Sequence, residues 1–221
     1  MKRCFALSLI LSAAAGCKEP VRTPEPPPAV ATPAAPLFNG RDLTGWVQVL
    51  DSKWTVENGA LVARQDPKGR REGESWLVTE KDYGDFLLNL KFRVTPGGNS
   101  GVFLRDPVPR SERLRAADGG KPPWDAGFEA NINAEEPNYP TGSIWEIAKG
   151  PPGLERPGEW NEMQVKVQGD RVWVWVNGKL AVEATQKRSE RGAIGLQRHG
   201  TERYRDKLVE FKDLTIQELR G

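Results

Sequence analysis

Trp160-Asn161-Glu162-Met163-Gln164-Val165-Lys166-Val167, followed by Val172-Trp173-Val174-Trp175-Val176-Asn177-Gly178-Lys179, decides the fold class of this chain. Met163, Val165 and Val167 share one face of an extended segment, and Gln164, Lys166 and Gln168 share the other, the two-residue period of a strand. Gly169-Asp170 turns the chain into Val172, Val174 and Val176, so the pair reads as a hairpin. Trp173 and Trp175 lie opposite those valines, which makes the second strand apolar on both sides, buried or ligand-facing. Asn177-Gly178 suits a type I′ turn, whose two central positions both need positive φ, and the chain returns at Lys179. Gly192–Gly200 and Val209–Leu219 read as two further strands, with His199, the sole histidine, just past the end of the first.

The same alternation extends upstream. Leu88, Leu90, Phe92 and Val94 interleave with Asn89, Lys91 and Arg93, and Pro96-Gly97-Gly98 breaks the run before Gly101-Val102-Phe103-Leu104-Arg105. Further strands are expected at Trp54–Glu57, Ala60–Ala63, Trp76–Thr79, Phe128–Asn133, Ser143–Ile147, Ala193–Gln197 and Leu208–Glu218. No segment carries a long 3.6-residue apolar period. The expected architecture is all-β, a sandwich of two antiparallel sheets that hides apolar inner faces and leaves loops for function. Asp106–Ala126 and Ala148–Glu159 are the long loops. Trp124, in the first, reads as either a cleft wall or an aromatic plug at the end of the sandwich.

The formal charge is +2 with both signs interspersed, so no basic stripe marks a nucleic-acid partner. Lys2-Arg3 before the apolar run Phe5–Ala15 has the form of an export signal, too short for a lasting transmembrane helix. That run ends Ala14-Ala15-Gly16-Cys17, which resembles a bacterial lipobox, so Cys17 is the expected lipidation site and mature N-terminus, with ordinary signal cleavage the alternative. The expected location is the bacterial cell envelope, with the membrane as partner through that anchor. Both cysteines lie in this leader, residues 1–17, which leaves no disulfide to hold the exported domain. Residues 18–36, rich in Pro, Ala and Thr, are expected to form an extended tether. The remainder, 37–221, suffices for one domain.

Leu37-Phe38-Asn39-Gly40-Arg41-Asp42-Leu43-Thr44-Gly45-Trp46 resembles the opening of the bacterial 3-keto-disaccharide hydrolase family. Asn99–Arg105, Phe128–Ile132, Thr141–Ile144, Pro157–Asn161, Asn177-Gly178, Gly195–Gln197 and His199-Gly200 agree with that family in order. The resemblance implies a concanavalin A-like jelly roll and a carbohydrate substrate, a glycoside whose sugar carries a ketone at C3, cleaved through elimination and rehydration. The chain departs from the family at Phe211-Lys212-Asp213, where Phe-Arg-Asn is common, and at Thr201–Leu208, which has the look of an insertion.

A C3 ketone acidifies the C2 hydrogen, so the reaction needs a base, an oxyanion stabiliser and an acid, and requires no metal or other cofactor. Glu129 is the expected catalytic carboxylate, because it shares a strand face with Asn131 and Asn133; the competing reading is a solvent-facing strand side. Arg105, on the face of Gly101 and Phe103, is placed to stabilise an enolate, or else to form a sheet-end salt bridge. His199 joins them as the side chain that titrates near neutrality, against a role bracing the turn at Gly200. Asn131, Trp145, Trp124 and Lys212 complete the site as expected substrate contacts, with core packing the rival explanation for each tryptophan.

A structural Ca²⁺ would leave no spacing signature, and a lone histidine builds no His-rich metal cluster. There is no G-x-S-x-G elbow, Walker motif or dinucleotide glycine motif. Two alternatives stand beside the keto-glycoside enzyme. One is a paired-carboxylate glycosidase using Glu129 and Glu146; the other is a noncatalytic carbohydrate-binding or cell-envelope module on the same fold.

Overall fold

A computed structural model describes residues 34–50, 52–65, 75–109, 111–112 and 127–219. Cys17, most of the expected tether and Trp124 lie outside the described residues. Within them the strands are β1 (Ala35–Pro36), β2 (Trp46–Leu50), β3 (Ser52–Glu57), β4 (Ala60–Gln65), β5 (Ser75–Thr79), β6 (Phe86–Val94) and β7 (Ser100–Asp106). They continue with β8 (Phe128–Ile132), β9 (Asn161–Gln168), β10 (Arg171–Val176), β11 (Lys179–Thr185), β12 (Ala193–Arg198) and β13 (Val209–Glu218). All described pairings are antiparallel. The larger sheet runs β11-β10-β9-β6-β13-β4-β3, with β1 on β13; the smaller runs β2-β5-β12-β7-β8.

This is the two-sheet antiparallel sandwich expected from alternation, in the jelly-roll form that the family resemblance implied. Asn177 and Gly178 both adopt positive φ, at 49° and 75°, as the tight turn between β10 and β11 requires. Leu88, Leu90, Phe92 and Val94 of β6 meet Val102, Leu104, Phe128, Ala130 and Leu196 of the smaller sheet in one buried core. Each such large apolar side chain contributes roughly 1.5–3 kcal/mol by leaving water. Trp54 spans the layers, its indole N–H donating to the Ser75 hydroxyl at 3.0 Å.

Three details differ from the sequence reading. Trp46–Leu50, inside the opening motif, forms edge strand β2 beside β5. Ser143–Ile147 is a tight turn rather than a strand: Ala148 N–H returns to the Ile144 carbonyl at 2.9 Å, and Glu146 takes the left-handed φ of 57° that closes it. Trp173 is only partly buried, between Lys166 and Arg171, whereas Trp175 is buried.

A bulge in β7 matters most for function. Phe103 pairs with Gly195 and Asp106 with Ala193, so β7 spends three steps where β12 spends two, and Arg105 absorbs the extra residue at φ 51°. The in-out alternation therefore slips by one residue. Asp106 takes the face that Arg105 would otherwise have held.

Candidate functional site

Strand register fixes the neighbours on the outer face of the smaller sheet. One row reads Val47, Val78, Gly195, Phe103, Glu129; the next reads Val49, Trp76, Gln197, Gly101, Asn131. The β2–β5 side is apolar, and Val49, Trp76, Val78, Phe103 and Ala193 form a second buried cluster there. Trp76 and Phe103 meet edge-on at 5.2 Å across Gly195, where an added Cβ would stand 3.2 Å from the Trp76 ring. The β7–β8 side carries the polar groups.

Glu129 leans from β8 across Gly101. A Cβ at residue 101 would fall 2.7 Å from the Glu129 carboxyl carbon, so only glycine lets the carboxylate lie there. Asn131, 3% exposed, is held by its side-chain N–H donating to the Tyr139 carbonyl at 2.5 Å. Next to β8, the Trp145 amide donates to the Glu129 carbonyl at 2.9 Å. The Trp145 ring packs against Tyr139 at 5.2 Å while remaining 36% exposed, a large hydrophobic side chain open to solvent.

Gln197, 5% exposed, stands on the other side of Gly101. His199 follows one side-chain repeat further along β12, its N–H reaching the Asn99 carbonyl at 3.4 Å and its ring edge-on to Tyr204 at 5.0 Å. Burial, and then the neighbouring Arg198 charge, push its pKa below the ordinary histidine range, so the imidazole is neutral at neutral pH. Arg198 points inward and donates to the Tyr204 and Arg205 carbonyls at 3.1 and 2.9 Å, which pins the expected insertion against the end of β12. With strands about 4.8 Å apart and residues rising about 3.3 Å, His199 and Gly101 lie roughly 8 Å apart.

The structure thus brings Glu129, Asn131, Trp145 and His199 to one face or its rim, and separates two others from them. Arg105 is 1% exposed at the end of the sandwich. There its guanidinium donates to the Gly84, Gly169 and Ser189 carbonyls and to Asp85 at 2.7–3.3 Å. The β7 bulge removes it from the face of Gly101 and Phe103, so the expected enolate contact is corrected to a structural tie between turns. Lys212 lies on the outer face of the larger sheet, its ammonium 4.2 Å from the Trp160 ring centre. It lines a separate cleft of about 400 Å³ with Lys91, Arg156, Glu162 and Asn177. Two layers of sheet stand between Lys212 and Glu129, so the expected shared substrate contact is corrected as well. Glu146 turns toward Arg188 at 3.6 Å with its side chain 61% exposed.

Sequence reasoning gave no role to Gln197, Gly101, Tyr139 or Trp76. A glycine inside an apolar strand and a glutamine inside Ala-Ile-Gly-Leu-Gln-Arg were the available signals. Among the described residues no three His, Cys, Asp or Glu side chains converge as metal ligands.

These features define a concanavalin A-like jelly roll with a partly polar, glycine-floored patch on the outside of its smaller sheet. The fold resembles the crystal structure of a candidate glycosyl hydrolase from Parabacteroides distasonis, with TM-score 0.65 and 22% identity over 83% of this chain and 93% of that one. It also resembles carbohydrate-binding module CBM66 from Bacillus subtilis, with TM-score 0.55 and 17% identity over 79% and 96%. The chain belongs to the 3-keto-alpha-glucoside-1,2-lyase-like domain family, whose sequence pattern matches residues 33–217. A curated relative, the 3-keto-disaccharide hydrolase of Bacteroides thetaiotaomicron, is 25% identical over 148 residues. That match covers 59% of this chain and about half, 51%, of the relative.

Proposed function

We propose that this chain cleaves 3-keto-glycosides on the outer face of the smaller sheet, with Glu129 as the base. The carboxylate takes the C2 proton, the C–H electrons form an enolate with the C3 carbonyl, and collapse of that enolate makes the C1–C2 double bond as the C1–O bond breaks. The departing oxygen gains a proton, which the newly formed carboxylic acid of Glu129 is near enough to return, since C1 and C2 are adjacent. Water then adds at C1 and a proton at C2, so the net reaction is hydrolysis. His199, neutral and at the far end of the patch, is assigned to a hydrogen bond with the aglycone. Arg105 has no part in this scheme.

The observation that carries the reading is the Glu129 carboxylate lying over Gly101 in a patch whose rim offers Trp145 and Tyr139. Family membership supports the substrate class. The test is release of free sugar from a 3-keto-disaccharide by the purified protein. Replacement of Glu129 by Gln is expected to lower turnover by about 10²–10⁴-fold, the usual contribution of a positioned general base. The exposed Trp145 beside Tyr139 favours a second reading, a noncatalytic sugar-binding module. Saccharide binding that survives Glu129→Gln, in a wild type that turns nothing over, would select it.

A further inference from the structure

Gln197 occupies the middle of the smaller sheet, on a strand flanked by β5 and β7. It is 5% exposed, and its amide oxygen is buried without a hydrogen-bond partner among the described residues. Buried amide oxygens in folded proteins are nearly always satisfied, so an unused one facing a site marks a place for a ligand donor. The surroundings explain why the protein itself does not fill the role. Its cross-strand neighbour toward β5 is Trp76, whose indole N–H makes no hydrogen bond to the amide oxygen, and its neighbour toward β7 is Gly101, which has no side chain.

Gly101 is therefore flanked on opposite sides by two groups. Gln197 stands one strand to one side, and the Glu129 carboxylate reaches over the glycine from the other. One strand spacing, roughly 5 Å, separates the glutamine from the glycine floor. That is the span between a base at C2 and a donor at the oxygen on C3 of one sugar ring. A primary amide offers N–H donors and a carbonyl acceptor from one planar group, which matches an oxygen that gains charge next to a hydroxyl that keeps its hydrogen.

We infer that Gln197 is a substrate-contacting residue, its amide N–H donating to the C3 oxygen of the keto sugar as the enolate forms and its buried oxygen accepting from the adjacent C4 hydroxyl. The role fills the vacancy left by Arg105. A neutral donor held in a water-poor slot stabilises charge that develops only in the transition state, so its contribution lies in turnover rather than in ground-state binding. The inference rests on the keto-glycoside reading above.

The test uses the full chain with a 3-keto-glucoside as substrate and the matching glucoside with a C3 hydroxyl as a ligand that cannot react. Gln197→Glu keeps the size and the acceptor but removes the N–H donor. It is expected to lower kcat on the keto sugar by about 100-fold or more, with affinity for the hydroxyl glucoside within about threefold of wild type. Gln197→Met removes donor and acceptor together, and is expected to lower kcat similarly while also weakening that affinity about tenfold. Because Met also removes the buried unpaired oxygen, its thermal midpoint should equal or exceed that of wild type, which separates a site effect from misfolding. Turnover within threefold of wild type in both variants would overturn the role of Gln197 and leave the function reading intact. A wild type that does not turn over the keto sugar would remove the function reading and this role with it.

Discussion

β7 and β12 of the smaller sheet are buried along their whole length, whereas β9 of the larger sheet alternates between buried and open residues. The contrast separates two kinds of polar surface on one sandwich. On the outside of the larger sheet charges answer each other: Arg93 grips Glu210 with two hydrogen bonds, Lys91 meets Asp213 at 3.0 Å, and Lys212 covers the Trp160 ring. Such surface pairs add little stability and keep a sheet face soluble. On the outside of the smaller sheet Asn131 and Gln197 are withdrawn from water, and the floor between them is a glycine. The first face is held by exposed ion pairs, and the second keeps its polar side chains low beside a glycine, where the proposed site lies.

The sharpest test of that contrast is Gly101→Ala. The added methyl must displace the Glu129 side chain, and a shift of about 1 Å in a reacting group lowers turnover by about 100-fold. The neighbour that has to yield is a flexible side chain, so the thermal midpoint is expected to stay near wild type. Full activity in this variant would mean that the carboxylate over Gly101 is not the base. Trp145→Ala should have a smaller effect, raising KM by about threefold to tenfold through loss of the stacking surface while kcat holds. An equal fall in kcat would instead make the turn at Trp145 part of the positioning of Glu129, whose carbonyl it bonds. The smallest change is expected from Lys212→Met. On the opposite face its loss should leave kcat/KM within about twofold, and a tenfold loss would move the site to the larger sheet.

Much of the sandwich could be read directly from residue order. The alternation of Met163, Val165 and Val167 and of Leu88, Leu90, Phe92 and Val94 places those side chains in the core. Asn177-Gly178 makes its turn because few other pairs tolerate positive φ twice. Trp46–Leu50 escaped notice because it begins inside the turn-rich opening motif. Ser143–Ile147 carries β-branched and aromatic residues yet folds as a turn, since Ile144 makes only an isolated bridge to Ala130 of β8 and pairs back with Ala148.

The candidate site was legible only in part. Glu129 and Asn131 share a face because β8 is regular, and alternation predicts the faces of regular strands. Arg105 was placed by the same rule and misplaced, because a one-residue bulge reverses every side chain beyond it and leaves no mark in composition. Lys212 lay near His199 in sequence, but β12 and β13 belong to different sheets, and that assignment put the two residues on opposite surfaces.

Sequence alone determined the fold class, the core positions and the family resemblance, because each depends on local period, turn chemistry or ordered motifs. Tertiary structure decided which polar residues meet: the Glu129 carboxylate over Gly101, Gln197 on the next strand beside that glycine, and Arg105 drawn away to the turns at the sandwich end. The physical reason is that strand pairing and register bring together residues far apart in the chain, and a single bulge can change which of them share a face.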